Sequence, residues 1–211
     1  MENATDQDLV RQTLSGDVRS FEKIVKRYQY TVFGIAFRLL KNKEEAEDIT
    51  QEAFLRCYQN LDKFDQRRPF APWIRRIASN LALSRLRQQR LRQLLPWDYV
   101  SRTFSRHQGC YSDPERALEN VDDRQEMAGY LQKLKPIDQL VVILRYYEEL
   151  DYEEIAYILN TTRNNVEVRL SRARRKLRRL IAESQGEVKK CSPAEKQKNS
   201  SISTSTESWM R

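Results

Sequence analysis

Apolar residues recur along most of the chain at the spacing of three and four residues that marks one face of an α-helix. In residues 6–60 this pattern predicts three or four helices, with breaks at Gly16-Asp17 and at Asn42. Residues 62–72 have no sustained period and contain two prolines, so we expect a loop there. A long amphipathic helix is predicted from Trp73, and its outer face would hold Arg75, Arg76, Asn80, Arg87 and Arg90.

The helical pattern returns near residue 122, after a stretch that lacks it. Met127, Leu131 and Leu134 predict a helix that stops before Pro136, and residues 137–150 predict the next one. With only 5 glycines and 6 prolines, the chain has few turn-forming residues for a fold built of strands. We therefore predict an all-α protein of two small helical domains, residues 1–93 and 122–183. A flexible linker, residues 94–121, would join them, and a polar tail, residues 184–211, is expected to be disordered because it has almost nothing to bury.

Residues 151–181 have the pattern of a helix-turn-helix. Asp151 and Glu154 have the spacing of a capping box at the start of a short helix. Thr161 or Thr162 can cap the helix that follows the turn. One arc of that second helix is apolar and would face the core, with Val166, Leu170, Ala173, Leu177, Leu180 and Ile181.

The opposite arc of the second helix is polar and basic, and consists of Asn164, Val168, Ser171, Arg172, Arg175 and Arg179. Arginine contacts phosphates and guanine edges, asparagine and serine contact base edges, and a small apolar group fits a thymine methyl. Val168 is informative because a helix face that meets only solvent gains nothing from a valine. The pattern favours a DNA-reading helix over the alternative, an ordinary amphipathic hairpin.

Charge is concentrated in two parts of the sequence. The net charge is +8, but residues 67–92 contain eight arginines and no acid, and residues 163–179 carry a net charge of +7. The rest of the chain is therefore acidic, at about −7. One basic run is often only a solvated helix face, whereas two runs on separate amphipathic helices favour a polyanionic partner.

Five acids crowd the first half of the helix predicted after Asn42, namely Glu44, Glu45, Glu47, Asp48 and Glu52. Acids at a helix N-terminus complement the helix dipole, which explains some of them. Because five exceed what a cap requires, an acidic docking surface is the second interpretation.

Other kinds of site are poorly supported. Cys57, Cys110 and Cys191 are far apart and odd in number, which suits reduced thiols in a cytoplasm. His107 and Cys110 alone cannot hold zinc, since a zinc site needs about four ligands. We expect no metal, no cofactor and no small-molecule substrate. The sequence shows no long apolar run and no leader-like segment, so we expect a cytoplasmic protein without a membrane span.

Several motifs, in order, resemble the sigma-70 family of RNA polymerase sigma factors, specifically the extracytoplasmic-function (ECF) group. In the first predicted domain they are GDVRSFEKIVKRYQ, AEDITQEAF and PFAPWIRRIASNLA. In the second they are LKPIDQLVVILRYYEELDYEEIAYIL and VEVRLSRARRKL. The resemblance covers residues 5–183. It implies a promoter-specificity subunit that binds core RNA polymerase, directs initiation at specific promoters and is controlled by an anti-sigma factor.

The resemblance assigns a role to each of three surfaces. The acidic helix would dock on the clamp coiled coil of the largest polymerase subunit through Glu47, Asp48, Gln51 and Glu52. The loop and helix that follow would capture unpaired bases of the minus-ten element of promoter DNA, a task that needs aromatic surfaces and cations. The residues of these types there are Phe64, Arg67, Arg68, Phe70, Trp73, Arg76 and Asn80. The helix-turn-helix would read the minus-thirty-five element through Asn164, Glu167, Val168, Ser171, Arg172, Arg175 and Arg179.

The sequence departs from the family pattern at several positions. The family commonly has glycine where this chain has Glu149, Asn160 and Asn164. Asparagine tolerates the left-handed backbone of a tight turn, which would explain positions 160 and 164 but not Glu149. Glu167 and Val168 replace a Lys-Ser pair, and Ser84 replaces an aspartate. We therefore expect the reading helix to keep its role but not the base preference usual in the family.

Two other classes of protein are weaker interpretations. A free-standing helix-turn-helix regulator would not need an acidic docking helix joined to a cationic and aromatic loop. A nucleic-acid enzyme would need clustered carboxylates for a metal, or a histidine or cysteine constellation with a base. We expect no enzymatic activity.

Overall fold

The structure, a computed structural model, describes residues 4–94 and 121–191, and within these ranges all regular structure is helical. The helices are α1 Asp6–Leu14, α2 Val18–Leu40, α3 Lys43–Gln59, α4 Phe70–Leu94, α5 Val121–Gln132, α6 Pro136–Tyr146, α7 Tyr152–Leu159 and α8 Arg163–Cys191, with a 3-10 turn at Leu61–Lys63. The all-α prediction is confirmed. We refer to α1–α4 as the first module and to α5–α8 as the second module. Most of the predicted linker (residues 95–120), with His107 and Cys110, and residues 192–211 of the tail lie outside the described residues.

The breaks predicted in the first module are confirmed by its caps. Gly16 has a φ of 104°, a conformation that suits glycine, and ends the chain's first helix. The side chain of Asp17 then accepts from the Arg19 N–H at the start of α2. Asn42 caps α3 in the same way, with its side-chain oxygen 3.0 Å from the backbone nitrogen of Glu45.

Helix α4 begins at Phe70, so the prediction of a loop through residue 72 and a helix from Trp73 is wrong at that boundary. Pro72 lies in the first turn of α4, where a backbone N–H has no intrahelical partner in any case. A proline there therefore does not end the helix. The ring of Phe70 is fully buried beside Tyr28 and Phe64, so burial holds this first turn against the module's core.

The second module contains the predicted helix-turn-helix. Asp151 and Glu154 form a capping box at the start of α7, and the Thr162 hydroxyl accepts from the Asn165 N–H at the start of α8. Of the apolar arc predicted for α8, five side chains are buried and Leu180 is half-buried against the core. Both the caps and the inward face are confirmed.

Backbone with positive φ occurs at Glu149 and Asn160 but not at Asn164. Asn160 has a φ of 51° and joins α7 to α8, as expected. The expectation for Asn164 is wrong, because this residue lies inside α8. Glu149 has a φ of 55° in the turn after α6, where the Leu150 N–H donates to the carbonyl of Leu144 at 3.1 Å. This bond closes the turn around Glu149, so a glutamate here takes the left-handed conformation that normally favours glycine.

Helix α8 continues to Cys191, beyond the predicted end of the second domain at residue 183. A polar composition predicts that a segment has little to bury, but it does not forbid a solvated helix. Propagating a helix that packing has already nucleated costs little, and the added segment contains glutamate, glutamine and lysine, which favour helix.

The two modules pack against each other through α7 on α4 and α6 on α2. Leu39 and Leu83 of the first module share one apolar cluster with Ile143 of the second. The prediction that Arg75 and Arg90 face outward is wrong, because the second module partly covers both. Arg90 donates to the carbonyl of Leu134 at 3.0 Å, a contact that a helical pattern within one module cannot reveal.

None of the helices in the described residues combines the length and the apolar content that crossing a bilayer requires.

Candidate nucleic-acid interface

The four residues predicted to dock lie on one side of α3, which we call the acidic face: Glu47, Asp48 and Gln51 are exposed and Glu52 is half-buried. Glu52 pairs with Arg56 at 2.6 Å and Glu47 with Lys43 at 3.8 Å. No described residue forms an ion pair with Asp48, so its charge is available to a partner.

Leu55 lies one turn further along the acidic face and is 52% exposed. Single exposed leucines are common on protein surfaces, and one beside carboxylates would gain burial if another protein docked on this face. Leu55 was not among the residues predicted to dock. The available signal was that Leu55 falls outside the apolar arc of α3 although it is a large apolar side chain.

A cleft of about 380 Å³ opens between the 3-10 turn, α4 and α7. Its walls are Lys63, Phe64, Asp65, Arg68, Trp73, Arg76, Ile77, Asn80 and Tyr157. Five of the seven residues predicted to contact the minus-ten element lie together here, namely Phe64, Arg68, Trp73, Arg76 and Asn80. We call this surface the aromatic cleft.

The aromatic residues of the cleft support one another. The ring centroid of Trp73 lies 5.0 Å from that of Phe64 and 5.6 Å from that of Phe70. Phe70 is fully buried, so the structure does not bring this predicted contact residue to the cleft. Its ring instead packs against the ring of Trp73 from the core of the module.

Arg67 also lies outside the cleft, although it was predicted with the others. Its side chain is 91% exposed, and its Nε donates to the Asp65 carboxylate at 3.0 Å. Hydrogen bonds from Arg67 hold the pKa of Asp65 below its usual value. Asp65 also pairs with Arg68 at 3.6 Å, so one carboxylate holds two arginines at the edge of the cleft.

Tyr157 enters the aromatic cleft from the second module. Its ring centroid lies 5.5 Å from the guanidinium carbon of Arg68 and 5.6 Å from that of Arg76. Both distances are within the range of a cation–π contact. Tyr157 was not among the predicted site residues, because no local pattern indicates which side chain of one module will meet the other.

The outward face of α8 contains all seven residues predicted to read duplex DNA, and every one of them is exposed. We call it the recognition face. Val168 is 39% exposed, as a methyl-contacting residue would be. Arg179 pairs with Glu183 at 2.9 Å, whereas no described carboxylate pairs with Arg172 or Arg175. Arg169 pairs with Asp138 at 3.0 Å and so fixes α8 to α6 rather than facing outward.

Among the residues that the structure describes, no group of three or more histidine, cysteine, aspartate or glutamate side chains could hold a metal ion. Cys57 is enclosed in the core of the first module, where burial raises the pKa of its thiol to about 12.

Two family models match the chain. Residues 24–92 match the model described as sigma-70 region 2, and residues 124–177 match the model described as sigma-70, region 4. The first match contains the acidic face and every residue of the aromatic cleft except Tyr157, and the second contains Tyr157 and most of the recognition face.

Curated proteins of the same kind are similar over most of the chain. The ECF RNA polymerase sigma factor SigW of Bacillus subtilis (strain 168) is 34% identical over 181 residues, which are 82% of this chain and 94% of the relative. The ECF RNA polymerase sigma-E factor of Escherichia coli (strain K12) is 32% identical over 177 residues, which are 82% and 92% of the two chains.

Solved structures match the whole arrangement of helices. CnrH, solved in complex with the cytosolic domain of CnrY, is 25% identical with a TM-score of 0.63, and the match covers 84% of this chain and 97% of CnrH. The sigma factor RpoE from Bartonella quintana, solved with the anti-sigma factor NepR, has a TM-score of 0.59 over 78% of this chain and 98% of that one. At 22% identity the second match shows the fold alone.

Proposed function

Because this chain belongs to the extracytoplasmic-function group of sigma-70 RNA polymerase sigma factors, we propose that it binds core RNA polymerase and directs initiation at specific promoters. The proposal is carried by the observation that one chain combines an acidic face, an aromatic cleft between arginines and an exposed recognition face. A free-standing regulator would need only the last of these. Sigma factors of this family are not enzymes, and we propose that this chain likewise has no active site.

The acidic face is the proposed contact with the clamp coiled coil of the largest polymerase subunit. Two observations support this contact: no described residue forms an ion pair with Asp48, and Leu55 beside it is exposed. Carboxylates would steer a basic partner, and the leucine would gain burial in the complex.

The aromatic cleft is the proposed site for unpaired bases of the minus-ten element. Trp73 offers a ring on which a base can stack, and Arg68 and Arg76 offer cations for the backbone or for a second stack. Asn80, which is exposed at the cleft, can donate and accept hydrogen bonds on a base edge. Phe64 supports the tryptophan rather than offering a second free surface, since it is nearly buried.

The recognition face is the proposed reader of the minus-thirty-five duplex. Helix-turn-helix proteins place the N-terminal part of the second helix in the major groove, which here means Asn164, Glu167 and Val168. Arg172 and Arg175 follow one and two turns later with no described carboxylate on them. Glu167 can accept from a cytosine amino group, a preference that the Lys-Ser pair of the family does not have.

Further parts of the proposal rest on the family. We take the two domains as residues 1–93 and 122–183. We further propose that the protein acts in the cytoplasm and that an anti-sigma factor sequesters it. CnrH, which shares the arrangement of helices, is known in a complex with a cytosolic protein domain.

A charge-reversal experiment tests the proposal. We expect Asp48→Lys with Glu52→Lys to abolish binding to purified core polymerase and run-off transcription, while circular dichroism remains helical. Glu22→Lys is the matched control, because Glu22 is an exposed acid on α2, away from the acidic face. Core binding by the double variant at the level of the control would refute the docking role. Normal promoter binding by the free chain with no effect on polymerase would favour the free-standing regulator.

A further inference from the structure

We propose that Glu153 of α7 is a positioning residue for the base preference of α8, because it holds Arg163 away from Glu167 and leaves the Glu167 carboxylate free to select cytosine. The inference rests on the proposed function of the recognition face and adds a residue outside that face to its reading of the duplex. Glu153 itself touches no base. It acts through Arg163, the first residue of α8.

Glu167 is the single carboxylate in a strongly basic part of α8, since residues 163–179 contain eight basic residues and one acid. It is exposed on the recognition face, and no described residue forms an ion pair with it. A free carboxylate among so many cations needs a cause, because oppositely charged side chains four residues apart on a helix attract each other. The cause lies in the other contacts of the neighbouring arginines.

Arg163 is the cation best placed to neutralise Glu167, because it lies four residues before it on the same side of α8. Its Nη1 instead lies 2.5 Å from the Oε1 of Glu153, in the first turn of α7. The helix dipole favours Glu153 at the start of α7 and disfavours Arg163 at the start of α8 unless a carboxylate compensates it. A pair within α8 would also have the weaker orientation, with the cation before the acid.

The next cations along α8 are kept from Glu167 as well. Arg169 donates to Asp138 of α6 at 3.0 Å and is half-buried there. Arg172 lies five residues beyond Glu167, which places it about 140° around the helix, on the other flank of the recognition face. The contact between Glu153 and Arg163 therefore decides whether Glu167 is paired.

The turn between α7 and α8 fixes the geometry of this contact. Asn160 supplies left-handed backbone, and the Thr162 hydroxyl accepts from the Asn165 N–H at 3.3 Å. The side chain of Asn165 in turn donates to the Thr161 hydroxyl at 3.2 Å. The first turn of α8 is thereby fastened to the end of α7, so that Glu153 and Arg163 meet across the turn.

A free carboxylate at position 167 discriminates between bases by hydrogen-bond type. Cytosine presents the donor of its N4 amino group in the major groove, whereas guanine and thymine present acceptors, which a carboxylate repels. Adenine also has an amino group, but the N7 acceptor lies beside it. An arginine paired with Glu167 would occupy the oxygens that cytosine needs and would add donors that suit guanine. Keeping Arg163 away therefore makes the position selective for cytosine.

The test compares two carboxylates that each pair with an exposed arginine of α8. Glu153→Gln removes the partner of Arg163, and Glu183→Gln, the matched control, removes the partner of Arg179. The probe is a duplex DNA library with a randomised block, bound by the full chain both alone and with core polymerase, and the bound duplexes are sequenced.

Cytosine preference is measured as the ratio of the affinities for the best cytosine-containing duplex and for the same duplex with guanine at that position. We expect Glu153→Gln to lower this ratio about twofold to fivefold, the size of effect that an exposed ion pair has. The control should keep the wild-type ratio, because Arg179 lies three turns beyond Glu167.

A second substitution separates positioning from structural damage. Arg163→Gln, added to Glu153→Gln, leaves no cation one turn from Glu167, so we expect the double variant to regain the wild-type cytosine preference. Damage to the turn would not be repaired in this way. Glu167→Lys should change the preferred base at the same position from cytosine to guanine, by about fivefold to a hundredfold, because lysine donates to the acceptors of guanine.

The outcomes separate this inference from the proposed function. Tighter binding of Glu153→Gln to all duplexes, with its cytosine preference unchanged, would show that the freed Arg163 contacts phosphate and would overturn the positioning role. A double variant no more selective than Glu153→Gln would overturn it too. An unchanged preferred base in Glu167→Lys would overturn the inference but not the recognition face, which has other reading residues. If the wild type, alone and with core polymerase, enriches no duplex sequence, the proposed function of that face fails as well.

Discussion

The aromatic cleft and the recognition face are both basic helical surfaces assigned to DNA, yet they differ in access. All seven predicted residues of the recognition face are exposed, whereas the cleft holds a tyrosine from the other module. The recognition face consists mainly of polar side chains that water solvates well. The cleft instead contains the half-buried ring of Trp73, which packs on the nearly buried Phe64. The difference indicates that residue types predict the kind of nucleic acid a surface fits, but not whether the surface is open.

The largest effect is expected from removing the aromatic platform of the cleft. Trp73→Ala should slow open-complex formation about tenfold to a hundredfold, because stacking is worth about 1–3 kcal/mol per base. Stopped-flow measurement on a fluorescent promoter would check this. Trp73→Phe keeps an aromatic ring in contact with Phe64 and Phe70, so it should retain most of the wild-type rate of open-complex formation. If alanine and phenylalanine behave alike, no base stacks on this residue.

Within the recognition face, alanine substitutions of Arg172 and Arg179 should affect DNA binding in different ways. Arg172→Ala removes a side chain near the N-terminal half of α8 and should cost about tenfold in affinity while relaxing the preference at one base pair. Arg179→Ala should weaken binding to all sequences alike and lower the salt dependence, since Arg179 lies further from the reading end. Binding isotherms on a duplex library at several salt concentrations distinguish the two results. Identical sequence profiles would show that Arg172 contacts only phosphates.

Both surfaces depend on the turn that positions α7, where Glu149 has a positive φ. Glu149→Gly should raise the stability of the second module by about 1 kcal/mol, because it removes the strain of a side chain in this conformation. Thermal melting should rise by a few degrees. Asn160→Gly is the control, and its gain should be smaller since asparagine tolerates this backbone. An equal or negative shift for Glu149→Gly would mean that the glutamate side chain stabilises the turn.

The smallest effect is expected for the alkylation rate of Cys57. This measurement distinguishes separation of the modules from unfolding of the first module. Burial raises the pKa of its thiol to about 12, so the reactive thiolate is scarce at pH 8 in the folded state and forms readily only after unfolding. With Cys110 and Cys191 replaced by serine, alkylation should be slow in the wild type and equally slow in Tyr157→Leu. Fast alkylation in the latter would show that the variant unfolds the first module instead of uncovering it.

Much of the fold could be predicted from local sequence patterns. The helix limits at Gly16, Asn42 and Pro136 depend on side chains that act within a turn, so that the sequence alone determines them. The start of α4 could not be predicted in this way, because Pro72 ends a helix in its interior but is tolerated in its first turn. Asn164 was assigned to a turn because asparagine tolerates left-handed backbone, but it also tolerates the first turn of a helix.

The candidate site was only partly predictable, for a different reason. Helical periodicity assigns Arg75 to an outer face, but in the structure its side chain is largely covered. What covers it is Glu148, which is more than seventy residues away in the sequence. Tyr157 likewise belongs to the cleft only through packing between modules. Contacts of this kind depend on the docking of two finished surfaces, which no window along the sequence contains.

The left-handed turn at Asn160 joins α7 directly to α8, the ion pair between Arg169 and Asp138 connects α8 to α6, and the three helices share one apolar cluster. Tyr157 therefore cannot leave the cleft unless α8 moves as well. The recognition face is exposed while Tyr157 lies in the cleft, so α8 can capture an upstream duplex before the cleft is uncovered. The two events are linked only by the difference in duplex affinity between the covered and uncovered arrangements.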